Sequence, residues 1–315
     1  MRRILLLLLL PSVHGSFRMV VINGEPASYS DYSTVSESWT SCVSYCYYSS
    51  TCVTVYSPDT SGTCRVFRID QISSVTQLYD TTGQTIAIKM LSNSTDGSCS
   101  SSSSGNSMTG YVTTNSTYQS YNITVSDATW TFSTDTQLSC LSDFQLFVRP
   151  LGPWCIGVIT TGCISQTDSV SQCSSTYGGI LSGLQTIEEY DYILSIGQPY
   201  LEAQSTYTRY GYWVNGFRNS SCMYPTARTA ACNGTNEFYF TDPLLSAYDG
   251  YVWASGQPDG IASKQLQNCL SVDFSSAEGI DDYNCSATTV TVKATSSTGG
   301  YTLCYAGYAC GLEPV

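Results

Sequence analysis

Apolar residues near the start of the chain recur first at helical spacing and then at strand spacing. Over residues 35–46 they fall on one face of a helix, and Thr34 with Glu37 forms a capping box at its start. Residues 52–56 and 64–67 alternate as strands do, with turn residues between them. The pattern predicts a helix beside a hairpin. Because each carries two cysteines, disulfides are expected to staple this small domain.

The second half of the chain predicts two helices followed by short strands. Residues 168–173 form the core of the first helix, and Thr186 with Glu189 caps the second, which Gly197 and Pro199 are expected to end. The apolar runs that follow are 212–214, 237–240, 269–272 and 290–292. Because the strands follow the helices instead of alternating with them, we predict an α+β fold with an antiparallel sheet.

A segment rich in hydroxyl side chains separates these two regions. Of the 45 residues in 93–137, 22 are Ser or Thr, and the segment contains no Lys or Arg. This composition buries little apolar surface, so it predicts a solvated, glycosylated linker between two modules. Within it, Ile123, Val125, Trp130 and Phe132 alternate about a central turn, which predicts a short hairpin.

Charge and cysteine content restrict the classes of function. The 315 residues include 24 Asp or Glu but only 12 Lys or Arg, which gives a net charge of −12. Phosphate backbones repel such a chain, so no nucleic-acid partner is expected. The 15 cysteines exceed what a reducing cytosol allows outside metal or redox sites, so we expect a disulfide-rich protein of an oxidising compartment.

The N-terminus predicts secretion. Arg2 and Arg3 precede an apolar run over residues 4–10, and small residues follow, which is typical of a signal peptide over residues 1–15. No later apolar run is long enough for a transmembrane anchor. His14 is the only histidine and would leave with the signal peptide. This excludes histidine-based catalysis, and because no carboxylate pair at catalytic spacing is recognisable, no enzyme activity is expected.

Asn-x-Ser/Thr sequons agree with an extracellular destination. The six candidate glycosylation sites are Asn93, Asn115, Asn122, Asn219, Asn233 and Asn284.

The cysteine spacing of the first module resembles that of the PAN/apple superfamily, in particular the variant joined to C-type lectin domains in secreted nematode proteins. The resemblance covers residues 17–92 and implies binding of protein or carbohydrate, with a structural spacer domain as the alternative. The disulfides that it implies are Cys46–Cys52 and Cys42–Cys64. Cys99 is left over, and it either cross-links a second chain or remains a capped thiol.

Residues 138–312 resemble a C-type lectin-like domain. The Trp-Val-Asn-Gly tetrapeptide at 213–216 stands at the family's buried core motif, and the Gly-Gln-Pro-Asp tetrapeptide at 256–259 stands at the start of its ligand loop. The resemblance implies the disulfides Cys173–Cys310, Cys269–Cys285 and Cys140–Cys155. Cys222 with Cys232 would close a local loop, which leaves Cys163 and Cys304 to pair with each other.

In calcium-dependent members of this family, Gln-Pro-Asp at this position accompanies a preference for galactose-type sugars, and the proline is cis. The calcium ligands that the resemblance implies are Gln257, Asp259, Gln267, Asp281 and Asp282. Gln267 excepted, the same side chains would bind the sugar. Calcium takes six to eight oxygens at about 2.3–2.6 Å, and sugar hydroxyls would complete this shell. The resemblance implies a secreted lectin for glycans or glycoproteins that uses Ca²⁺ and acts in immune or surface recognition.

Other residues favour an alternative. Gln267 replaces an acidic ligand of the family, Ile280 replaces a tryptophan, and no aromatic residue follows Asp259 to stack on galactose. Lys264 lies in the same loop, where its ammonium would take the place of calcium in an acidic pocket. The alternative is a calcium-independent C-type lectin-like module that binds proteins and no sugar.

Overall fold

The computed structural model describes residues 17–59, 62–79, 83–91, 108–226, 229–260, 266–275, 278–293 and 300–315. The predicted signal peptide, Asn93, Cys99 and Lys264 lie outside these residues. The chain divides into two compact units, Met1–Ser139 and Cys140–Val315. Both combine mainly antiparallel sheets with few helices, which confirms the predicted α+β class.

The first unit is built on one sheet with a single helix among its described residues. Its elements are β1 (Phe17–Tyr29), β2 (Ser33–Val35), α1 (Trp39–Tyr48), β3 (Cys52–Ser57), β4 (Cys64–Arg68), β5 (Ile72–Gln77), β6 (Thr85–Leu91), β7 (Met108–Thr113), β8 (Thr117–Ser126), β9 (Thr129–Thr134) and β10 (Leu138–Ser139). The strand order is β10-β8-β9-β5-β1-β6-β3-β4-β2, with β7 beside β8.

Helix α1 begins later than the sequence predicts. The capping box of Thr34 and Glu37 does not form, because Thr34 lies in β2 and pairs with Arg65 of β4. Ser38 is the N-cap instead, and its hydroxyl accepts a hydrogen bond from the Ser41 amide at 3.3 Å. Strand pairing in β2 therefore outweighs the local capping signal.

The predicted cysteine staple is present in the first unit. Cys42 and Cys46 are buried on one face of α1, against the β3–β4 hairpin. The disulfides are Cys42–Cys64 and Cys46–Cys52, the pairs that the resemblance implies.

The linker prediction is wrong for residues 108–137. Strands β7, β8 and β9 belong to the first unit, and β9 pairs with β5 along the register Val75↔Trp130. The predicted hairpin is confirmed, since Ile123 pairs with Phe132 across β8 and β9. The serines and threonines alternate with buried Ile123, Trp130 and Phe132. The segment is thus a set of strands with one apolar face, which its average composition does not reveal.

The second unit contains two helices and a larger sheet among its described residues. Its elements are β11 (Gln145–Arg149), β12 (Gly152–Thr160), α2 (Gln166–Gln172), β13 (Ile180–Leu181), α3 (Ile187–Ala203), β14 (Arg209–Arg218), β15 (Phe238–Tyr239), β16 (Cys269–Phe274), β17 (Gly279–Tyr283), β18 (Thr289–Val292) and β19 (Tyr301–Leu312). The main strand order is β11-β12-β19-β14-β16-β17. All neighbours are antiparallel except β14 and β19.

Helix α3 begins as predicted and ends later. The Thr186 hydroxyl accepts from the Glu189 amide, which confirms the cap. The helix then continues through Gly197 and Pro199 to Ala203. Gly197 lies against the ring of Phe274, and an added Cβ there would come within 2.8 Å of it. Close packing on the sheet therefore explains this glycine, which the sequence analysis interpreted as a helix end.

Five disulfides cross-link the second unit. They are Cys140–Cys155, Cys163–Cys304, Cys173–Cys310, Cys222–Cys232 and Cys269–Cys285, and all five are predicted from the sequence. Within the part of the chain that the structure describes, no helix has the length and apolar character needed to cross a membrane.

Candidate functional site

The predicted ligand residues lie near one end of three neighbouring strands. β16 is antiparallel to both β14 and β17, so β14 and β17 run in the same direction and end at the same edge of the sheet. Arg218 is the last residue of β14, and Asp282 is the second-last residue of β17. The loop that contains Gln257 and Asp259 reaches the same edge, because its backbone bonds to Asp282.

The carboxylate of Asp282 is fully engaged by protein groups. One oxygen, Oδ1, accepts from the Asp259 amide at 2.8 Å. The other, Oδ2, accepts from the Gly260 amide at 2.8 Å and from Nη2 of Arg218. The side chain has no solvent exposure. Gly260 is needed here, since an added Cβ would come within 2.4 Å of Oδ2.

Arg218 supplies a buried cation at this edge. Its Nη1 forms an ion pair with Glu237, which ends a single helical turn at Gly234–Glu237. Its Nε donates to the Gln267 carbonyl oxygen at 3.0 Å, and its guanidinium lies 4.7 Å from the centre of the Phe238 ring. The Arg218 side chain is 1% exposed and that of Glu237 is 0% exposed. One guanidinium therefore links three segments that are distant in sequence.

The pKa of Asp282 reflects both its burial and its ion pair with Arg218. Burial raises the pKa of Asp282, and the charge of Arg218 opposes that rise. A buried charge is tolerated when it is paired and hydrogen-bonded, and both conditions hold here.

The predicted ligands Gln257 and Gln267 differ in what their side chains contact. Pro258 follows Gln257 through a cis peptide, as the resemblance implies. The Gln267 side chain donates to the Asp282 backbone oxygen at 2.8 Å, so it supports β17 through its amide. Oε1 of Gln257 is buried without a hydrogen-bond partner among the described residues.

Asp281 does not join the predicted ligand set. Successive side chains of a strand point to opposite faces, and Asp281 pairs with Ser271 while Asp282 pairs with Leu270. Asp281 therefore lies on the face of Asp273, whose carboxylate accepts from the Tyr283 hydroxyl at 2.6 Å. The predicted ligand set places two adjacent strand residues on one ion, whereas in this structure their side chains lie on opposite faces of β17.

The Asp273–Asp281 pair is strongly perturbed. Burial raises the pKa of Asp273 to about 7. Burial, and then repulsion by Asp273, raises the pKa of Asp281 to about 8. The structure therefore holds this pair largely protonated below neutral pH.

The residues at the edge do not fit a calcium ion. Calcium needs six to eight converging oxygens, but two of the five implied ligands do not offer theirs: Asp282 is paired with Arg218, and Asp281 lies on the other face of β17. A guanidinium beside Asp282 also repels a second cation. Among the described residues, no group of three or more His, Cys, Asp or Glu side chains could hold a metal ion.

Arg218 and Glu237 are not among the site residues predicted from the sequence. The internal cation predicted there, Lys264, lies outside the described residues. The sequence offers one signal for Arg218. It directly follows residues 210–217, which carry no charge, and the whole chain has only 12 Lys or Arg. A second buried cation was also missed. Arg149 pairs with Glu189 at 2.7 Å and with Asp242 at 2.8 Å, with all three side chains fully buried.

Comparison with protein families agrees with both parts of the fold. Residues 19–90 match the model of a PAN-like domain, and residues 150–313 match the model of C-type lectin domain-containing protein 141/158. No curated protein sequence matches the chain significantly.

Solved structures of C-type lectin type are similar to part of this chain at low identity. Human lithostathine is 13% identical, with 56% of this chain and 91% of that chain covered and a TM-score of 0.34. The C-type lectin CEL-I from Cucumaria echinata is 15% identical, with 55% of this chain and 97% of that chain covered and a TM-score of 0.34. Since the second family match spans more than half of the chain, the protein belongs to the C-type lectin domain-containing protein 141/158 family and carries a PAN-like domain before its C-type lectin domain.

Proposed function

We propose that this is a secreted recognition protein whose C-type lectin domain binds protein surfaces without calcium. The observation that carries the proposal is the contact of the Arg218 guanidinium with Asp282 and Glu237. An internal cation holds the loop in the place where the family resemblance implies a metal ion.

The same geometry argues against the galactose-type site. A sugar hydroxyl needs a carboxylate or amide oxygen with a lone pair open to solvent. Asp282 has no exposed surface, and its two oxygens already receive three donors. Asp281 faces the other side of the strand. Only Gln257 and Asp259 of the implied sugar ligands remain on this edge.

Other features support an extracellular, disulfide-rich protein with macromolecular partners. The seven disulfides agree with an oxidising compartment, to which the predicted signal peptide would direct the chain. Cys99 offers a route to a disulfide-linked dimer, which non-reducing electrophoresis with Cys99→Ser as the control would test. A role in immune or surface recognition remains the expectation from the family.

Retention on immobilised sugars tests the proposal. The secreted full chain is applied to immobilised galactose and to immobilised glycoproteins, in calcium and then in a chelator. We expect no retention on galactose in either buffer, and any glycoprotein retention should survive the chelator. Retention on any sugar that calcium creates and the chelator abolishes would contradict the proposal.

A further inference from the structure

All three sequons of the second unit surround the Arg218–Asp282 contact. Asn219 directly follows Arg218 at the end of β14. Asn284 directly follows the end of β17. Asn233 directly precedes the helical turn that ends at Glu237. The rest of the sequence between residues 140 and 315 contains no Asn-x-Ser/Thr.

Strand register brings Asn219 and Asn284 to the same edge. Phe217 of β14 pairs with Cys269 of β16, and Cys269 pairs with Tyr283 of β17. Each asparagine thus lies one or two residues beyond the same row of the sheet, on strands separated by β16. Two strand spacings amount to about 10 Å.

Two hydrogen bonds bring the segment of Asn233 to this edge as well. The backbone amide of Asn219 donates to the backbone oxygen of Glu237 at 2.7 Å, and the side-chain Nδ2 of Asn219 donates to the backbone oxygen of Asn236 at 3.3 Å. The turn that Asn233 begins therefore lies against Asn219. Asn233 and Asn284 are exposed, and Asn219 is half-buried with one Nδ2 hydrogen left for modification.

We propose that Asn219, Asn233 and Asn284 carry N-linked glycans that cover this edge of the domain, so that the ligand meets a different face. In each modification, Nδ2 loses one proton and bonds to the anomeric carbon of an oligosaccharide. The bond from that carbon to the diphosphate of a lipid-linked donor breaks, and the diphosphate leaves. The inference rests on the secreted location in the proposed function, because this donor acts in the secretory pathway.

The size of the glycans explains why they would cover this edge. An N-linked glycan is bulky and solvated, and three of them within a few strand spacings leave little room for a macromolecule. The loop with Gln257 and Asp259 bonds to Asp282 at the same edge, so the glycans would cover it too. The first unit offers a matched control, since Asn115 is an exposed sequon in the turn between β7 and β8.

The first test measures which of the three asparagines carry a glycan. The full chain is secreted from eukaryotic cells, treated with a peptide N-glycosidase that converts a glycosylated Asn to Asp, and mapped by mass spectrometry. We expect conversion at Asn219, Asn233 and Asn284. Absence of conversion at two or more of the three overturns the proposal.

The second test measures whether the glycans protect this edge from a protease. Arg228 lies in the sequence between Asn219 and Asn233, and trypsin cleaves after it. With all three asparagines changed to Gln, we expect cleavage there to become faster by roughly threefold or more, whereas Asn115→Gln leaves it unchanged. If the triple variant is not secreted, enzymatic removal of the glycans from the folded protein serves the same purpose. Occupied sites with an unchanged cleavage rate overturn the shielding. Calcium dependence of sugar binding, which tests the proposed function, is unaffected by either result.

Discussion

The guanidinium of Arg218 contacts the carboxylate of Asp282 at the position where the family resemblance implies a calcium ligand. Asp282 in turn receives the backbone amides of Asp259 and Gly260, so the loop is fastened to an internal cation. The positive charge that orders this edge therefore belongs to the chain. Its presence does not depend on the concentration of a dissolved ion.

Removal of Arg218 should destabilise the second unit strongly. Arg218→Ala leaves Asp282 and Glu237 as buried carboxylates without their cation, which costs about 3–5 kcal/mol. Chemical denaturation of the full chain measures the change. Lys293→Ala is the matched control, because Lys293 is exposed and its loss should change the free energy of unfolding by about 0.5 kcal/mol or less. Equal effects of the two substitutions would contradict the role of Arg218.

Calcium should also act differently on that variant. With the guanidinium gone, Glu237 and Asp282 present two carboxylates beside the Gln267 carbonyl oxygen. Added calcium is expected to raise the Tm of Arg218→Ala, and to leave that of Lys293→Ala unchanged. The comparison separates a vacated cation position from a general effect of salt.

The Arg149–Glu189–Asp242 cluster predicts a sharp contrast between adjacent glutamates. Glu189 is fully buried and bonds to Arg149 at 2.7 Å and 2.9 Å, whereas Glu188 is exposed. Glu189→Gln should lower the free energy of unfolding by about 3–5 kcal/mol. Glu188→Gln should change it by about 0.5 kcal/mol or less, and it serves as the control in the same denaturation series. A small effect at both positions would refute the structural role of Glu189.

The raised pKa values of Asp273 and Asp281 predict lower stability at alkaline pH. Both carboxyl groups ionise near pH 3.9 in the unfolded chain, but near pH 7 and 8 in the folded protein. Between about pH 4 and pH 8 the folded state binds more protons, so the free energy of unfolding falls as pH rises. We expect the Tm of the second unit at pH 8 to lie roughly 5 °C or more below that at pH 5.

Asp281→Asn isolates this contribution. The amide keeps an oxygen for the Asp282 amide hydrogen bond and does not ionise. The Tm of this variant should therefore fall less between pH 5 and pH 8 than that of the unsubstituted protein. Asp191→Asn, at an exposed position of α3, is the control and should keep the full slope. Parallel slopes for all three proteins would show that the pair does not set the pH dependence.

The positions of β8 and β9 predict which fragment of the first unit folds on its own. Tyr121, Ile123, Trp130 and Phe132 are buried in its core, and each such side chain contributes about 1.5–3 kcal/mol. Their sum, about 6–12 kcal/mol, is comparable to the entire net stability of a typical domain, about 5–15 kcal/mol. A fragment of residues 17–92 should therefore fail to fold, whereas residues 17–139 should show a cooperative thermal transition by circular dichroism. Cooperative folding of the shorter fragment would restore the linker interpretation.

Local patterns predict the elements of this protein better than their boundaries and side-chain directions. The Thr186 cap and the hairpin at Ile123–Phe132 follow from spacing alone. The start of α1 and the end of α3 do not, because strand pairing at Thr34 and packing of Gly197 on Phe274 override the local signals. These contacts join residues that are far apart in sequence.

The candidate site likewise combines features that the sequence predicts with features that depend on the folded structure. The resemblance implies the cis-Pro258 and the disulfide frame, and the structure contains both. The loss of Asp281 from the site follows from strand alternation once the register of β17 is known. The partners of Arg218 could not be assigned from the sequence, since Glu237 and Asp282 lie 19 and 64 residues away in the chain.

Calcium titration against thermal stability tests the central claim most directly. A calcium site filled at 100 times its Kd would stabilise the domain by about 2.7 kcal/mol, or roughly 5–10 °C in Tm. We predict that the Tm of the unsubstituted protein is the same in millimolar calcium and in a chelator. A saturable rise in Tm with calcium, reversed by the chelator, would contradict it.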